Sequence, residues 1–200
     1  NVARVQLSIF QPTGQVNTAV SNLTLTFATP LDDATFSLDD LSLTGPSGAV
    51  PLASLVKLST YLYRVDLSPA ATEDGQYTFI LGTNVLTEAG NPPAGPYTNR
   101  FTIDRTAPAA PALTSHLTAP ATNNIQTTTP TLVGTREADT AVWINGVQRV
   151  GLGEGTWSWG LTLTQGVNVV SCWAVDRAGN ISATNQALFF VDSVAPVVST

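Results

Sequence analysis

Apolar and polar residues alternate in twos along much of the chain. Leu23, Leu25 and Phe27 are interleaved with Thr24 and Thr26, and successive side chains of a strand point to opposite faces, so this run predicts one buried and one wet face. Tyr77, Phe79 and Leu81 repeat the pattern, as do Trp157, Trp159, Leu161 and Leu163. No stretch carries an apolar stripe at helical spacing. Threonine is abundant and Lys57 is the only lysine, a balance that suits strand surfaces and disfavours exposed helices. Asn145-Gly146 lies between AVWI and VQRV, and that dipeptide accepts the positive φ angles of a type I′ turn, which predicts a tight hairpin. Gly14, Gly45, Gly75, Gly155 and Gly166 punctuate the other runs at turn-like positions. Many short strands separated by turns predict an all-β chain built as β-sandwiches, because two sheets must bury each other's apolar faces.

The chain also repeats itself. FTIDRTAP, ending at Pro108, returns as FFVDSVAP, ending 88 positions later at Pro196. Upstream, Ala89-Gly90-Asn91 returns 89 positions later as Ala178-Gly179-Asn180. Two markers in one order at nearly one offset predict two tandem units, each of roughly 100 residues, the size of an immunoglobulin domain. We place a first sandwich at residues 1–105, a short proline-rich linker at 106–112 and a second sandwich at 113–200. The prolines of TAPAAPALT (Thr106–Thr114) favour an extended, semi-rigid strap. Val194-Ala195-Pro196 reads as the start of a further strap, and the opening Asn1-Val2-Ala3-Arg4 has neither Met nor a charged-then-apolar leader. Both features fit a segment cut from a longer string of beads.

The second unit resembles the bacterial immunoglobulin-like repeats of large surface adhesins and biofilm-associated proteins. The resemblance rests on PTLVGTREADTAVWINGV (Pro130–Val147), GTWSWGLTL (Gly155–Leu163), WAVDRAGNIS (Trp173–Ser182) and FVDSVAP (Phe190–Pro196), in that order. The first unit resembles a different subfamily, through LTFATPLDDATFSLDDLSLTGPSG (Leu25–Gly48) and DGQYTFIL (Asp74–Leu81). The resemblance implies noncatalytic modules on the bacterial cell surface or outside the cell, strung beside further modules of the same chain, with calcium often stiffening the junctions. It also implies a role in adhesion to a host protein, a matrix protein or a glycan. Tyr77 following Glu73-Asp74-Gly75 matches a tyrosine corner, in which the phenol ties the strand start to the preceding loop. The second unit has Asn168 where that tyrosine falls, so the corner is not expected there.

Composition narrows the chemistry. A formal charge of −6 and a pI near 4.4 make nucleic acid a poor partner, and no apolar run approaches a membrane span. A single cysteine, Cys172, and a single histidine, His116, exclude internal disulfides and thiolate or multi-histidine metal sites. Cys172, mid-strand in NVVSCWAV, reads as a small buried hydrophobe, and His116 as a solvated loop residue. Asp39-Asp40 lies in an apparent strand, where adjacent carboxylates point apart and cannot flank one bond. No enzyme activity is expected. If the strands run in immunoglobulin order, the loop carrying Glu137 and Asp139 and the loop carrying Asp176 share the end at which the second unit's chain enters. The first unit's last strand delivers Asp104 to that junction. These four carboxylates form a candidate calcium site, since calcium takes six to eight hard oxygen ligands. Arg105, Arg136 and Arg177 occupy the same stretches, so carboxylate–guanidinium pairs are the competing reading, as is a turn cap for Asp176. The tryptophans raise the second functional reading, a carbohydrate-binding accessory module of a secreted enzyme. The face shared by Trp157 and Trp159, together with the match of Trp143 to the buried tryptophan of immunoglobulin folds, favours core packing instead. A third reading is self-assembly, because few lysines guard the strand edges.

Overall fold

The computed structural model describes residues 3–197, and the chain divides into two compact units, Asn1–Arg105 and Thr106–Thr200. Both are β-sandwiches. Unit 1 contains β1 (Leu7–Gln11), β2 (Gly14–Val16), β3 (Val20–Phe27), β4 (Leu41–Gly45), β5 (Gly48–Ala49), β6 (Leu52–Lys57), β7 (Leu62–Ala71), β8 (Gly75–Leu81) and β9 (Tyr97–Ile103). One sheet runs β1-β3-β7-β6 and the other β2-β9-β8-β4-β5. The alternating runs read from sequence are the strands that line the core: Leu23, Leu25 and Phe27 on β3 meet Tyr77, Phe79 and Leu81 on β8. Phe10 of one sheet stacks on Phe79 of the other, with ring centroids 4.9 Å apart. Each fully buried Leu or Phe of this kind contributes on the order of 1.5–3 kcal/mol.

Tyr77 closes the predicted corner. Its hydroxyl donates to the Glu73 carbonyl at 2.9 Å, and its ring lies flat on Phe101 at 5.0 Å. The corner needs glycine at position 45, where a Cβ would come within 2.6 Å of the Tyr77 ring. Asp39 and Asp40 are not strand residues. They sit in a 3-10 turn, Leu38–Asp40, whose Ser37 cap and Asp40 side chain bond reciprocally, so the serine-to-acid spacing overrode the apolar alternation around it.

Unit 2 contains β10 (Ala112–Leu113), β11 (Thr122–Ile125), β12 (Thr131–Ile144), β13 (Val147–Gly160), β14 (Gly166–Asp176) and β15 (Asn185–Val191). Its strand order is β10-β12-β14-β15-β11, with β13 paired to β12. Ala112, at the end of the expected linker, is already a strand residue, pairing with Thr135. β12 and β13 form one long hairpin about Asn145-Gly146, whose φ angles of 48° and 82° are those the dipeptide predicts. Between Arg136 and Thr140 the register jumps, because three residues of β12 face only Glu154 of β13. Below this bulge β12 pairs with β10, and above it with β14. The bulge is therefore the corner at which the strand passes from one layer to the other.

The tryptophans divide differently from the sequence expectation. Trp157 is the buried one, its indole N–H donating to the Thr135 carbonyl at 3.2 Å, and Trp159 is half-buried beneath the Arg149 guanidinium. Trp143 is not a core residue. Val142 and Ile144 point inward on β12, so Trp143 between them faces out, where it stacks on Trp173 of β14 at 6.2 Å.

Candidate functional site

The candidate ligands Glu137 and Asp139 lie in the corner bulge of unit 2, and Asp176 at the end of β14. Each has local work. Asp139 adopts a positive φ of 57° and pairs with Arg177 at 3.2 Å, which brings the bulge beside the turn after β14. Both partners are more than half exposed, so this pair adds little to stability. Glu137 accepts the Ala109 backbone N–H at 2.7 Å, fixing the entering chain to the corner, and its carbonyl accepts the Thr140 hydroxyl.

Asp176 caps a turn. Its carboxylate accepts the Asn180 backbone N–H at 2.8 Å and the Asn180 side-chain amide at 2.9 Å. Main-chain bonds from Asp176 N to Asn180 O and from Gly179 N to Asp176 O complete it. Unit 1 builds the same turn 89 positions earlier with threonine. Thr87 Oγ1 accepts the Asn91 N–H at 3.1 Å, and the two main-chain bonds recur between Thr87, Gly90 and Asn91. The shared task at this position is thus a short acceptor, which Asp or Thr supplies.

Arg136 meets no carboxylate in the hydrogen bonds described. Its guanidinium donates to the carbonyls of Thr140 (2.8 Å) and Gly151 (2.6 Å), clamping the bulge to β13. Gly153 leaves the space, since a Cβ there would come within 2.5 Å of the guanidinium. Asp104 lies one residue past β9, its N–H bonded to the Val16 carbonyl. Within unit 2, no group of three or more His, Cys, Asp or Glu side chains among the described residues is placed to hold a metal ion.

Other polar groups are spent structurally. Asp33 accepts from Lys57 at 2.6 Å and from the buried Tyr63 hydroxyl at 2.7 Å. Those bonds, led by Lys57, hold its carboxyl below the usual range, while burial pushes the Tyr63 phenol up. Cys172 is buried in the unit 2 core, and burial lifts its thiol to about 11, so the nucleophilic thiolate is disfavoured. His116 is half-buried rather than solvated. It packs edge-on against Phe189 at 4.9 Å, bonds Ser115 Oγ at 2.7 Å, and burial lowers its pKa.

The sequence reading missed two devices. Asn168 replaces the tyrosine of the corner: its amide donates to the Thr164 carbonyl at 2.7 Å and its oxygen accepts the Thr164 N–H at 2.9 Å. That is the same four-residue reach as Tyr77 to Glu73. The second is a clamp on the chain leaving each sandwich. Asp74, before Gly75, accepts from the Arg105 backbone N–H at 3.1 Å and from its guanidinium at 2.9 Å. Gln165, before Gly166, accepts from the Ser193 N–H and hydroxyl and donates to Asp192. The signal was present in sequence as a polar residue before each corner glycine.

No protein family's sequence profile matches the chain, and no curated protein sequence matches it significantly. Among solved structures, the fibronectin(III)-like modules of Clostridium thermocellum CbhA share the fold at a TM-score of 0.52 and 11% identity, covering 94% of this chain and 93% of that one. The chain also aligns with a quarter (26%) of the S-layer protein SbsC at 15% identity, with a TM-score of 0.41. It aligns with 30% of a biofilm-associated protein BSP-domain structure, also at 15% identity, with a TM-score of 0.31. The first likeness shows the β-sandwich fold alone; the other two are too distant to carry an argument. No helix among the described residues is long and apolar enough to cross a membrane.

Proposed function

We propose that the chain is a noncatalytic spacer and adhesion segment of an extracellular or cell-surface bacterial protein. The observation that carries this reading is the pair of self-contained sandwiches, each with a tied corner and a clamped exit. That is the construction expected of a bead meant to pass its chain on in a set direction. The single cysteine and the single histidine are committed to packing: Cys172 lies in the core, and His116 is packed against Phe189. An antibody raised against the chain should label intact cells that express the parent protein. Labelling only after permeabilisation would refute the surface assignment.

The narrower part of the proposal is that calcium stiffens the junction through Asp104, Glu137, Asp139 and Asp176. Carboxylate oxygens are suitable donors, and the ion would supply charge neutralisation among them. In unit 2 it has to compete with Arg177, the Ala109 N–H and Asn180. On this reading, millimolar calcium raises the melting temperature of the full chain, and Asp176→Asn, which can still cap the turn, loses the rise. An unchanged melt in calcium leaves the hydrogen-bonded arrangement as the whole role of these side chains.

A further inference from the structure

Residues 106–111 form no strand, yet they are not bare chain. Pro108 and Pro111 are buried, whereas Thr106, Ala107 and Ala109 are exposed. A polyproline II helix makes one turn in three residues, so prolines three apart share a face, and these two present that face inward. Such a segment makes no hydrogen bonds within itself, and its backbone groups must find partners elsewhere. Two of them do so in unit 2. The Ala109 N–H donates to a Glu137 carboxylate oxygen at 2.7 Å. The Asn185 side-chain amide donates to the Pro111 carbonyl, also at 2.7 Å.

Glu137 is held ready for this contact. It lies in the bulge of β12, and bulges re-aim side chains. The Thr140 hydroxyl donates to the Glu137 carbonyl at 2.8 Å, and Arg136 ties the bulge to the Gly151 carbonyl at 2.6 Å. The repeat supplies an internal comparison. Pro196 stands 88 positions after Pro108 at the same place in the repeat, and it is exposed. An Ala-Pro pair therefore does not bury its own ring, and the burial of Pro108 comes from what the chain lies against.

We propose that unit 2 carries a seat for an extended, proline-bearing segment, held by Glu137 and Asn185, and that Thr106–Pro111 is its occupant. The segment is then a docked lead of unit 2 and not a free linker. Glu137 and Asn185 are positioning residues that set the path by which the chain enters the sandwich. The chemistry matches the occupant at both points. Ala109 has an N–H to give, and an ionised carboxylate is a stronger acceptor than a neutral oxygen. Pro111 has no N–H, so its carbonyl is the one backbone group left to satisfy, and an amide donor meets it. The seat stands whether or not the chain is a surface protein, because it rests on contacts inside unit 2 alone.

The test is limited proteolysis of the whole chain with an elastase, which cuts after small residues, following the Ala109–Ala110 bond by mass spectrometry. A synthetic TAPAAPALT peptide, the sequence of Thr106–Thr114, gives the intrinsic rate of the same bond. Cleavage of a segment that opens and recloses quickly tracks the population of its open form. The bond in the chain should be cut at least about tenfold more slowly than in the peptide, and Glu137→Ala should raise its rate at least about tenfold by removing a charge-assisted bond. Asn185→Ala should raise it too, from the other end of the segment. Glu137→Gln, whose amide oxygen still accepts an N–H, should fall between the parent and Glu137→Ala. Asp139→Asn removes a charge from the same bulge without touching the segment and should leave the rate unchanged. A thermal melt establishes that each variant is folded; if Glu137→Ala is not, Asn185→Ala and the ratio of chain to peptide decide. A bond cut in the parent as fast as in the peptide overturns the proposal. So does a rate that neither Glu137→Ala nor Asn185→Ala changes in a folded chain.

Discussion

Gly134 is the residue whose loss should be felt most sharply in unit 2. It lies directly opposite Trp157 across the β12–β13 ladder, and the indole occupies the space a side chain would fill. A Cβ built at position 134 meets the Trp157 ring at 2.7 and 2.8 Å and clashes with the Ala112 carbonyl oxygen on β10. Its φ is not in the left-handed region, so the penalty of Gly134→Ala is steric and not conformational. The Trp157 ring is walled in by the core and the other obstacle is backbone, so neither yields cheaply. Overpacking of this kind costs about 1–3 kcal/mol. Displacing the indole also strains its bond to the Thr135 carbonyl, worth about 1 kcal/mol. Alanine's smaller unfolded-state entropy returns about 0.4–1 kcal/mol. The balance is a loss of about 2–3 kcal/mol, which for a domain near 100 residues lowers Tm by roughly 10–20 °C. Differential scanning calorimetry of the full chain should show the unit 2 transition falling by that amount while the unit 1 transition stays fixed. Gly151→Ala, on the same hairpin with open space around it and an ordinary φ, is the matched control and should be neutral or slightly stabilising. If Gly134→Ala melts within about 2 °C of the parent, well inside the expected drop, the packing argument for Trp157 is wrong.

Asn168→Ala should destabilise unit 2 by about 1–2 kcal/mol, because it removes bonds to both backbone groups of Thr164 and to the Gly166 carbonyl. Urea unfolding followed through the tryptophans of unit 2 reads this directly, and an unchanged midpoint would deny Asn168 the corner role. Asp33 links unit 1 to pH. Its folded pKa lies below the ordinary 3.8, so the Lys57 and Tyr63 bonds contribute fully above that value and fade as pH falls through it. Asp33→Asn should accordingly melt lower than the parent at pH 7, with the gap closing towards pH 2; a gap that stays constant would show the carboxylate charge to be irrelevant.

How far the chain could be read from its letters depended on whether a strand had one apolar face or two. Leu23, Leu25 and Phe27 alternate with threonines, so their burial and the sandwich around them followed from the period alone. The segment AVWI offers apolar residues on both faces, and period-2 reasoning has no way to choose between them. Trp143 was placed in the core by its match to the buried tryptophan of immunoglobulin folds, whereas Val142 and Ile144 fill it. Asn145-Gly146 and Tyr77 were legible because each demands one backbone geometry or one hydrogen-bond partner. The acidic residues of unit 2 were ambiguous in sequence, since a carboxylate can serve an ion or a backbone N–H equally well. Comparison of Asp176 with Thr87 at the same place in the repeat shows that the turn cap itself needs only a short acceptor. Asn168 escaped notice because its function was defined by the residue it replaces, not by the bonds that residue makes.

The two exit clamps do one job with different chemistry, and the difference has a consequence under changing ionic conditions. Arg105 is held in part by an exposed charged pair with Asp74, a contact that added electrolyte screens. Ser193 is held by the neutral amide of Gln165, which brine does not weaken in that way. In concentrated brine the first bead's clamp is left to its backbone bond from Arg105 N–H to Asp74, while the neutral Gln165–Ser193 bonds of the second are unchanged.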